Sequence, residues 1–474
     1  MPDPRWVALI ALSLGVVMIV LDGTVVTVAL PLIRSDLGFS QVALVWLINA
    51  YILTYGGCML LGGRLGDLYG ARRVFLTGIV TFTLASLACG LATSQTALIW
   101  ARAMQGIGGA VVSAVALSLI TNMFIDTGER ARAIGIYGFI ASAGSTLGVL
   151  LGGFITSFLS WHWVFLVNIP YGALVFGLCL RLLPKERVGA PTPGRLDLAG
   201  AVSSTAALML AVYSIISGGE LGWFSRQSVA TYLGVLLLLV VFVFIESRVR
   251  QPLMPLGLLR RRTLLVTNIT AALSAAAMFS TFFLTLYLQR VLGKSPLQVS
   301  LIFLPTCLIS AVLALGFSAR IVHRYGIRRP FAAGLLSAAL GLALLAGIPV
   351  QGDVLMDLFP GMTLFTIGAG VAGNPLFLSA MQGVAPQDSG LASGLIGTSY
   401  MVGGSLGLAI LAASAEAWTR KLSLLGADPM VALIGGYHVA FATGAGLAVV
   451  TAGLGFVWLP KTIHAAVPAP VSVQ

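Results

Sequence analysis

The chain has 474 residues, of which 58% are hydrophobic and only 9% charged, with a net charge of +12 and a mean hydropathy of +1.00. A soluble domain carries roughly a quarter charged residues, so this composition excludes a soluble globular protein and points to one built into a lipid bilayer. The positive charge would suit nucleic acid in a soluble chain, but here it is spread over alternate loops, and no nucleic-acid partner is expected.

Hydrocarbon about 30 Å thick takes about 20 apolar residues per helix. Read at that length, the chain offers about fourteen candidate spans, near 6–31, 43–62, 74–93, 98–122, 134–157, 161–183, 197–217, 229–246, 264–289, 297–318, 330–349, 355–380, 389–414 and 434–459. The ten-residue alternation of a membrane β-barrel is absent, so an all-α membrane protein is expected. The first span contains Asp22 and is followed by no small-residue cleavage site, so it reads as a retained helix. A charged hinge, Gly63-Arg-Leu-Gly-Asp67-Leu-Tyr-Gly70-Ala-Arg72-Arg73, separates the second and third spans. The fourth carries Arg102 and Gln105 one turn apart, and the fifth carries Gly144, Gly148 and Gly152 every four residues, with Gly153 beside them. Trp161-His162-Trp163-Val-Phe-Leu-Val-Asn168-Ile-Pro170 opens the sixth.

A polar, proline-rich linker from Pro184 to Gly194 then precedes two further spans. Beyond them the hinge recurs as Ala319-Arg320-Ile-Val-His323-Arg-Tyr-Gly326-Ile-Arg328-Arg329, so that Arg72 and Arg73 correspond to Arg328 and Arg329 at an offset of 256 residues. Such a repeat is the mark of a duplicated transporter. It divides the chain into a six-helix bundle at 1–183, a linker with two extra helices at 184–263, a second six-helix bundle at 264–460 and a tail at 461–474. Lys and Arg crowd alternate loops, which places both termini in the cytoplasm by the positive-inside rule. An even number of spans requires the same.

Several chemistries are not supported. Cys58, Cys89, Cys179 and Cys307 lie within apolar spans without metal-ligand spacing and read as small buried hydrophobes. No GxxxxGK[ST] loop, HExxH or GxSxG motif is present, so neither ATP hydrolysis nor another enzymatic activity is expected, and no cofactor.

Asp22 is the leading candidate for chemistry. A carboxyl at the centre of a membrane helix costs roughly 3 kcal/mol on insertion scales and usually marks a transport function. Hydrocarbon favours its neutral form and a nearby cation its ionised form, so a proton and a cationic substrate would compete there. Arg102 reads either as a fixed charge acting on such a carboxyl or as an arginine reaching back to the headgroups. In the hinge, Gly63, Gly66 and Gly70 allow a tight turn, while Asp67, Arg72 and Arg73 could make and break contacts as one side opens. His323 cannot supply the permanent negative charge of Asp67, so the gate is expected to be stronger in the first half. The small face of Gly144, Gly148 and Gly152 predicts a close helix seam along which the halves rock, with Gly403, Gly404 and Gly407 forming a similar surface in the second half. A substrate cavity is expected between the halves, with Tyr51, Tyr55, Met278, Phe279, Phe282, Phe283, Asn374, Tyr400 and Met401 as candidate lining. Aromatic and Met side chains suit planar, amphipathic cations.

Five stretches give the chain a family resemblance: Leu21–Pro31, the 63–73 hinge, Arg102–Gly109, Gly144–Gly153 and Trp161–Pro170. It resembles the major facilitator superfamily, and within it the fourteen-span drug:proton antiporters. The resemblance implies a 6+2+6 helical fold and a bacterial cytoplasmic membrane. It also implies export of small amphipathic compounds in exchange for protons. The sequence departs from the family pattern at Val149, where proline is usual, at Thr27, where asparagine is usual, and at Thr398-Ser-Tyr400-Met401, where an Arg-Gln pair is common. A dedicated exporter of one metabolite, antibiotic or lipid, and a nutrient symporter or facilitator, remain alternatives. Neither extra span shows a dimerisation motif, so a monomer is expected.

Overall fold

The computed structural model describes residues 4–124, 126–183, 197–249, 262–313, 317–382 and 389–461, and every element in them is helical. The first half contains α1 (Pro4–Leu37), α2 (Gln41–Tyr69), α3 (Ala71–Gly90), α4 (Gln95–Met123), α5 (Thr127–Phe158), the single turn α6 (Trp163–Leu166) and α7 (Asn168–Leu182). The inserted pair is α8 (Leu198–Leu221) and α9 (Arg226–Arg248). The second half contains α10 (Arg262–Met278), α11 (Thr281–Arg290), α12 (Pro296–Val312), α13 (Ser318–Tyr325), α14 (Arg328–Leu345), α15 (Phe359–Met381), α16 (Ser389–Leu424) and α17 (Pro429–Trp458).

Polar side chains start many of these helices. Ser40, Ser94 and Ser225 each accept from a backbone N–H of the following first turn, and Asp428 does so for α17. Ser295 and Gln298 form a reciprocal capping box ahead of α12, with Pro296 in its first turn. Eleven helices among the described residues are long and apolar enough to cross a membrane. Two more expected spans survive as the shorter apolar helices Ala43–Met59 and Pro296–Val312. The remaining one falls in α5, many of whose side chains lie outside the described residues.

Within the first half α1 packs on α4, α5 and α7, and α4 lies against both α2 and α3. In the second half α14 packs on α15 and α17, and α10 on α16 and α17. The halves meet along α2 with α16 and along α5 with α12. The inserted α8 rests on both α2 and α16, while α9 leans on α8 and turns Leu233, Leu237 and Phe244 outward, as a lipid-facing helix would.

The two hinges have the same geometry. Each turns on a glycine with positive φ, Gly70 at 91° and Gly326 at 77°, a region that a side chain disfavours. Directly after each turn an arginine reaches the last helix of its own half. Arg72 Nη2 donates to Leu180 O of α7 at 2.6 Å, and Arg328 Nε donates to Leu459 O just beyond α17. These side chains therefore tie the third helix of a half to the carbonyl end of its sixth, where a cation also meets the helix dipole. The side chains of Asp67 and His323 lie outside the described residues; those of Arg73 and Arg329 are exposed.

The seam at Gly144, Gly148 and Gly152 differs from expectation. It faces Val17, Leu21, Thr24 and Val25 of α1 and so lies inside the first half. Gly153 alone of this group faces the other half, against Pro296 and Ser300 of α12. The reason is geometric: glycines four residues apart share one helix face, whereas Gly153 is turned about 100° from Gly152. In the second half Gly403 and Gly407 meet Ala272 and Ala276 of α10, and Gly404 meets Phe279. A Cβ at Gly403 would overlap the Ala272 backbone, whereas one at Gly63 would meet nothing within 4 Å. Gly403→Ala is expected to cost about 1–3 kcal/mol through overpacking, and Gly63→Ala to lie within about 0.5 kcal/mol of neutral. Thermal unfolding of the purified variants in detergent checks both.

Candidate functional site

The seam of α5 glycines holds α1 closely around its centre. Leu21 and Thr24, on either side of Asp22, are the groups that Gly148 abuts. Asp22 itself has no solvent exposure and faces away from α5 into the rest of the first half. Arg102 of α4 comes to meet it and is only 2% exposed. Its Nη1 donates to Asp22 Oδ2 at 2.6 Å, forming a buried ion pair between the two helices. Arg102 therefore points inward to Asp22 and not to the headgroups.

The pair is surrounded by neutral groups that satisfy its remaining valences. Gln105 Nε2, one turn beyond Arg102, donates to Asp22 Oδ1 at 2.8 Å, and Asn168 Nδ2 at the start of α7 donates to the same oxygen at 2.9 Å. Gln105 Oε1 in turn accepts from Arg102 Nη1 at 2.6 Å. Both amides also reach Ser86 Oγ of α3, at 2.8 and 3.4 Å. Arg102 Nε donates to Leu47 O of α2 at 3.2 Å, and its guanidinium lies 4.2 Å from the centroid of the Tyr51 ring. Five helices of the first half thus converge on one carboxylate. Such saturation is required, because a buried ion pair offsets its desolvation only when the other polar atoms around it are also bonded.

Beside this cluster lies a cavity of about 440 Å³ between the halves. Ile19, Thr24, Thr27, Ile48, Tyr51 and Tyr55 form its first-half wall, and Met278, Phe279, Thr281, Phe282, Thr285, Phe303 and Met401 its second-half wall. Arg102 is the one charged residue among those lining it, and Asp22 sits behind Arg102, off the wall. The hydrogen bonds of Arg102 use Nε and Nη1 and leave Nη2 without a partner among the described residues. Tyr51 and Tyr55 stack at 5.9 Å, extending an aromatic shelf from the guanidinium.

Of the residues singled out in the sequence, Asp22 and Arg102 come together, and Tyr51, Tyr55, Met278, Phe279, Phe282 and Met401 line the cavity. Phe283 packs against Tyr437 in the core instead, and Asn374 and Tyr400 are not among the lining residues. The hinge residues Gly63, Gly70, Arg72, Arg73, Arg328 and Arg329 take no part in the cavity. Sequence reasoning missed Ser86 and the role of Asn168. Asn168 stood in a motif-like stretch at the start of the sixth span, and its position next to a helix break was the available signal.

Hydrogen bonds cross between the halves near the ends of α1 and α5. Gln289 Nε2 donates to Val28 O at 2.9 Å, and Leu297 N donates to Ser157 Oγ at 3.1 Å. Deeper in, Ser405 Oγ donates to Asn49 Oδ1 at 2.9 Å and Thr398 Oγ1 to Gly56 O at 3.2 Å.

The repeat, the cavity between two helical halves and the charged pair beside it describe a membrane carrier. The chain belongs to the Major Facilitator Superfamily, whose sequence profile matches residues 12–408. It is a membrane transporter of that superfamily. It is 38% identical to the puromycin resistance protein pur8 of Streptomyces alboniger over 98% of this chain and 93% of that one. It is 40% identical to the cephamycin export protein CmcT of Amycolatopsis lactamdurans over 83% and 82%, and 36% identical to a lincomycin resistance protein of Streptomyces lincolnensis over 86% and 83%. Among solved structures, a D-xylose–proton symporter superposes with a TM-score of 0.68 at 13% identity, covering 98% of this chain and all of that one. A bacterial homologue of the lysosomal transporter Spinster, in an inward-facing form, gives 0.64 at 19% over 96% and 97%. These two likenesses concern the fold alone.

Removing one member of a buried ion pair strands the other, at a cost of about 3–5 kcal/mol. Arg102→Leu is therefore expected to lower the unfolding temperature strongly, and the double variant Asp22→Asn/Arg102→Leu to recover part of that loss. Thermal unfolding of both in detergent, compared with the native chain, checks this.

Proposed function

We propose that the chain exports antibiotic-like amphipathic compounds, cationic ones foremost, in exchange for protons. The observation that carries the proposal is the position of Asp22 behind Arg102 on the wall of an otherwise uncharged cavity. With Asp22 ionised the pair is neutral and the cavity tolerates a cation against its aromatic shelf. With Asp22 protonated the pair carries +1. At ~6 Å and an effective dielectric of ~20, one added charge repels a monocation by about 3 kcal/mol, a factor of about 100 in affinity. Proton and substrate thus exclude each other without sharing an atom, which is the thermodynamic condition for antiport.

The distribution of Lys and Arg supports cytoplasmic termini. On that orientation the ties Gln289–Val28 and Leu297–Ser157 lie toward the external end, which supports a carrier facing the cytoplasm and able to accept substrate there. Arg72 and Arg328, by tying helices within their own halves, support rigid-body rocking of those halves. Asp67 is retained as a gating residue on sequence grounds, and α8 and α9 as the insertion of a fourteen-span carrier. The bacterial cytoplasmic membrane is the setting, and a monomer the working unit.

A narrower range is favoured by the relatives. The names of three of them each specify a single antibiotic, as expected of exporters serving one compound. Such specificity would lie in the cavity lining and leave the coupling pair unchanged.

The test is reconstitution in liposomes under an imposed pH gradient with a lipophilic cationic dye. Native protein is expected to move the dye against the proton flux, and Asp22→Asn to abolish gradient-driven movement while still folding. Dye movement that survives in Asp22→Asn would remove Asp22 from coupling. No proton-dependent movement of dye or of puromycin, lincomycin or cephamycin would refute proton antiport.

A further inference from the structure

Asp22 holds its two oxygens in different settings. Oδ1 accepts two amide N–H groups, from Gln105 at 2.8 Å and Asn168 at 2.9 Å, whereas Oδ2 has the guanidinium of Arg102 alone. A proton on Oδ1 would meet two donors already aimed at that oxygen. A proton on Oδ2 needs only that Arg102 Nη1 withdraw, and Arg102 is the group that separates Asp22 from the cavity.

We propose that Asn168, acting with Gln105, is a positioning residue that clamps Oδ1 and directs the transported proton to Oδ2. The proposal rests on the proton-antiport reading above. In the step itself an O–H bond of a hydronium in the cavity breaks, leaving water, and an O–H bond forms at Oδ2. The Arg102 Nη1–H···Oδ2 bond breaks, no proton leaves Arg102, and the pair gains one positive charge. Arg102 keeps its bonds to Gln105 Oε1 and Leu47 O, and the clamp keeps the carboxyl in place.

Ser86 extends the clamp. Its Oγ donates to Phe82 O at 2.9 Å and therefore presents its lone pairs to both amides, fixing their direction. The charged and titratable groups that face Asp22 are Arg102 from α4, Tyr51 from α2 and Cys89 from α3, whose Sγ reaches Gln105 Oε1. From α6 and α7 come only Phe165 and Asn168. Amide donors to a carboxylate stabilise its ionised form.

The decisive measurement is the infrared C=O band of protonated Asp22 in the purified full-length protein. Its loss in Asp22→Asn identifies the band. With the proton on Oδ2, Oδ1 is the carbonyl oxygen that accepts both amides, so Asn168→Leu, which removes one donor, is expected to move the band to higher frequency. Ser86→Ala, which frees the direction of both amides, should move it the same way by less. Asn268→Leu removes a buried amide of the second half, bonded to Leu264 O and Ser399, and should lower thermal stability without moving the band. If Asn168→Leu does not accumulate, the shift in Ser86→Ala decides. An unmoved band in a folded Asn168→Leu, or an equal shift in Asn268→Leu, overturns the clamp. A shifted band in a protein whose transport ignores the pH gradient would leave the clamp standing and refute proton antiport.

Discussion

A carboxylate and a guanidinium cannot both be buried in an apolar bundle unless nearly every polar atom they present is bonded, and that requirement shapes the first half of this protein. The Asp22–Arg102 pair draws donors and acceptors from α2, α3, α4 and α7 and, among the described residues, leaves one guanidinium nitrogen, Nη2, without a hydrogen bond. The helices must approach closely to deliver these groups. Gly148 abuts Leu21 and Thr24 on one side of α1, and a Cβ at Gly106, the residue after Gln105, would overlap Tyr51 O and Thr54 of α2. Packing and chemistry are here one constraint, since a residue larger than glycine at these places would move the very helices that present Asp22 and Arg102.

The second half has the same backbone plan and none of this charge. The offset that relates the hinges carries Asp22 onto Met278 and Arg102 onto Leu358. Met278 lines the cavity, while Leu358 is buried in the core. Duplication thus leaves one half to hold the titratable site and the other to provide an apolar wall of Met278, Phe279, Phe282 and Met401. What both halves retain is mechanical: the positive-φ glycine and the arginine tie at Arg72 and Arg328.

Much of this was legible in the sequence. Span length, loop charge and the repeated hinge gave the helical transporter fold, and the depth of Asp22 in an apolar run marked it as costly and therefore useful. The destination of Arg102 was not legible, because helix rotation and crossing angle decide whether an arginine one turn into a span faces inward or toward the headgroups. Asn168 and Ser86 were hidden for a related reason: a neutral side chain in a membrane helix bears no cost that a sequence displays, and its value comes from partners on other helices, Asp22 for Asn168 and the amides of Gln105 and Asn168 for Ser86. The glycine face at Gly144, Gly148 and Gly152 signals close packing without naming its partner, which is α1 of the same half and not the opposite half. Asn374, a candidate for the lining, has no place on the cavity wall.

The central claim is that a proton on Asp22 and a cation in the cavity repel one another through the charge of Arg102. Equilibrium binding of a lipophilic monocationic dye to the purified protein, measured across pH without any gradient, tests this most directly. The account predicts that native affinity falls as pH is lowered, and that Asp22→Asn binds weakly at every pH with no such dependence. Native affinity that ignores pH, or the same pH dependence in Asp22→Asn, would contradict it.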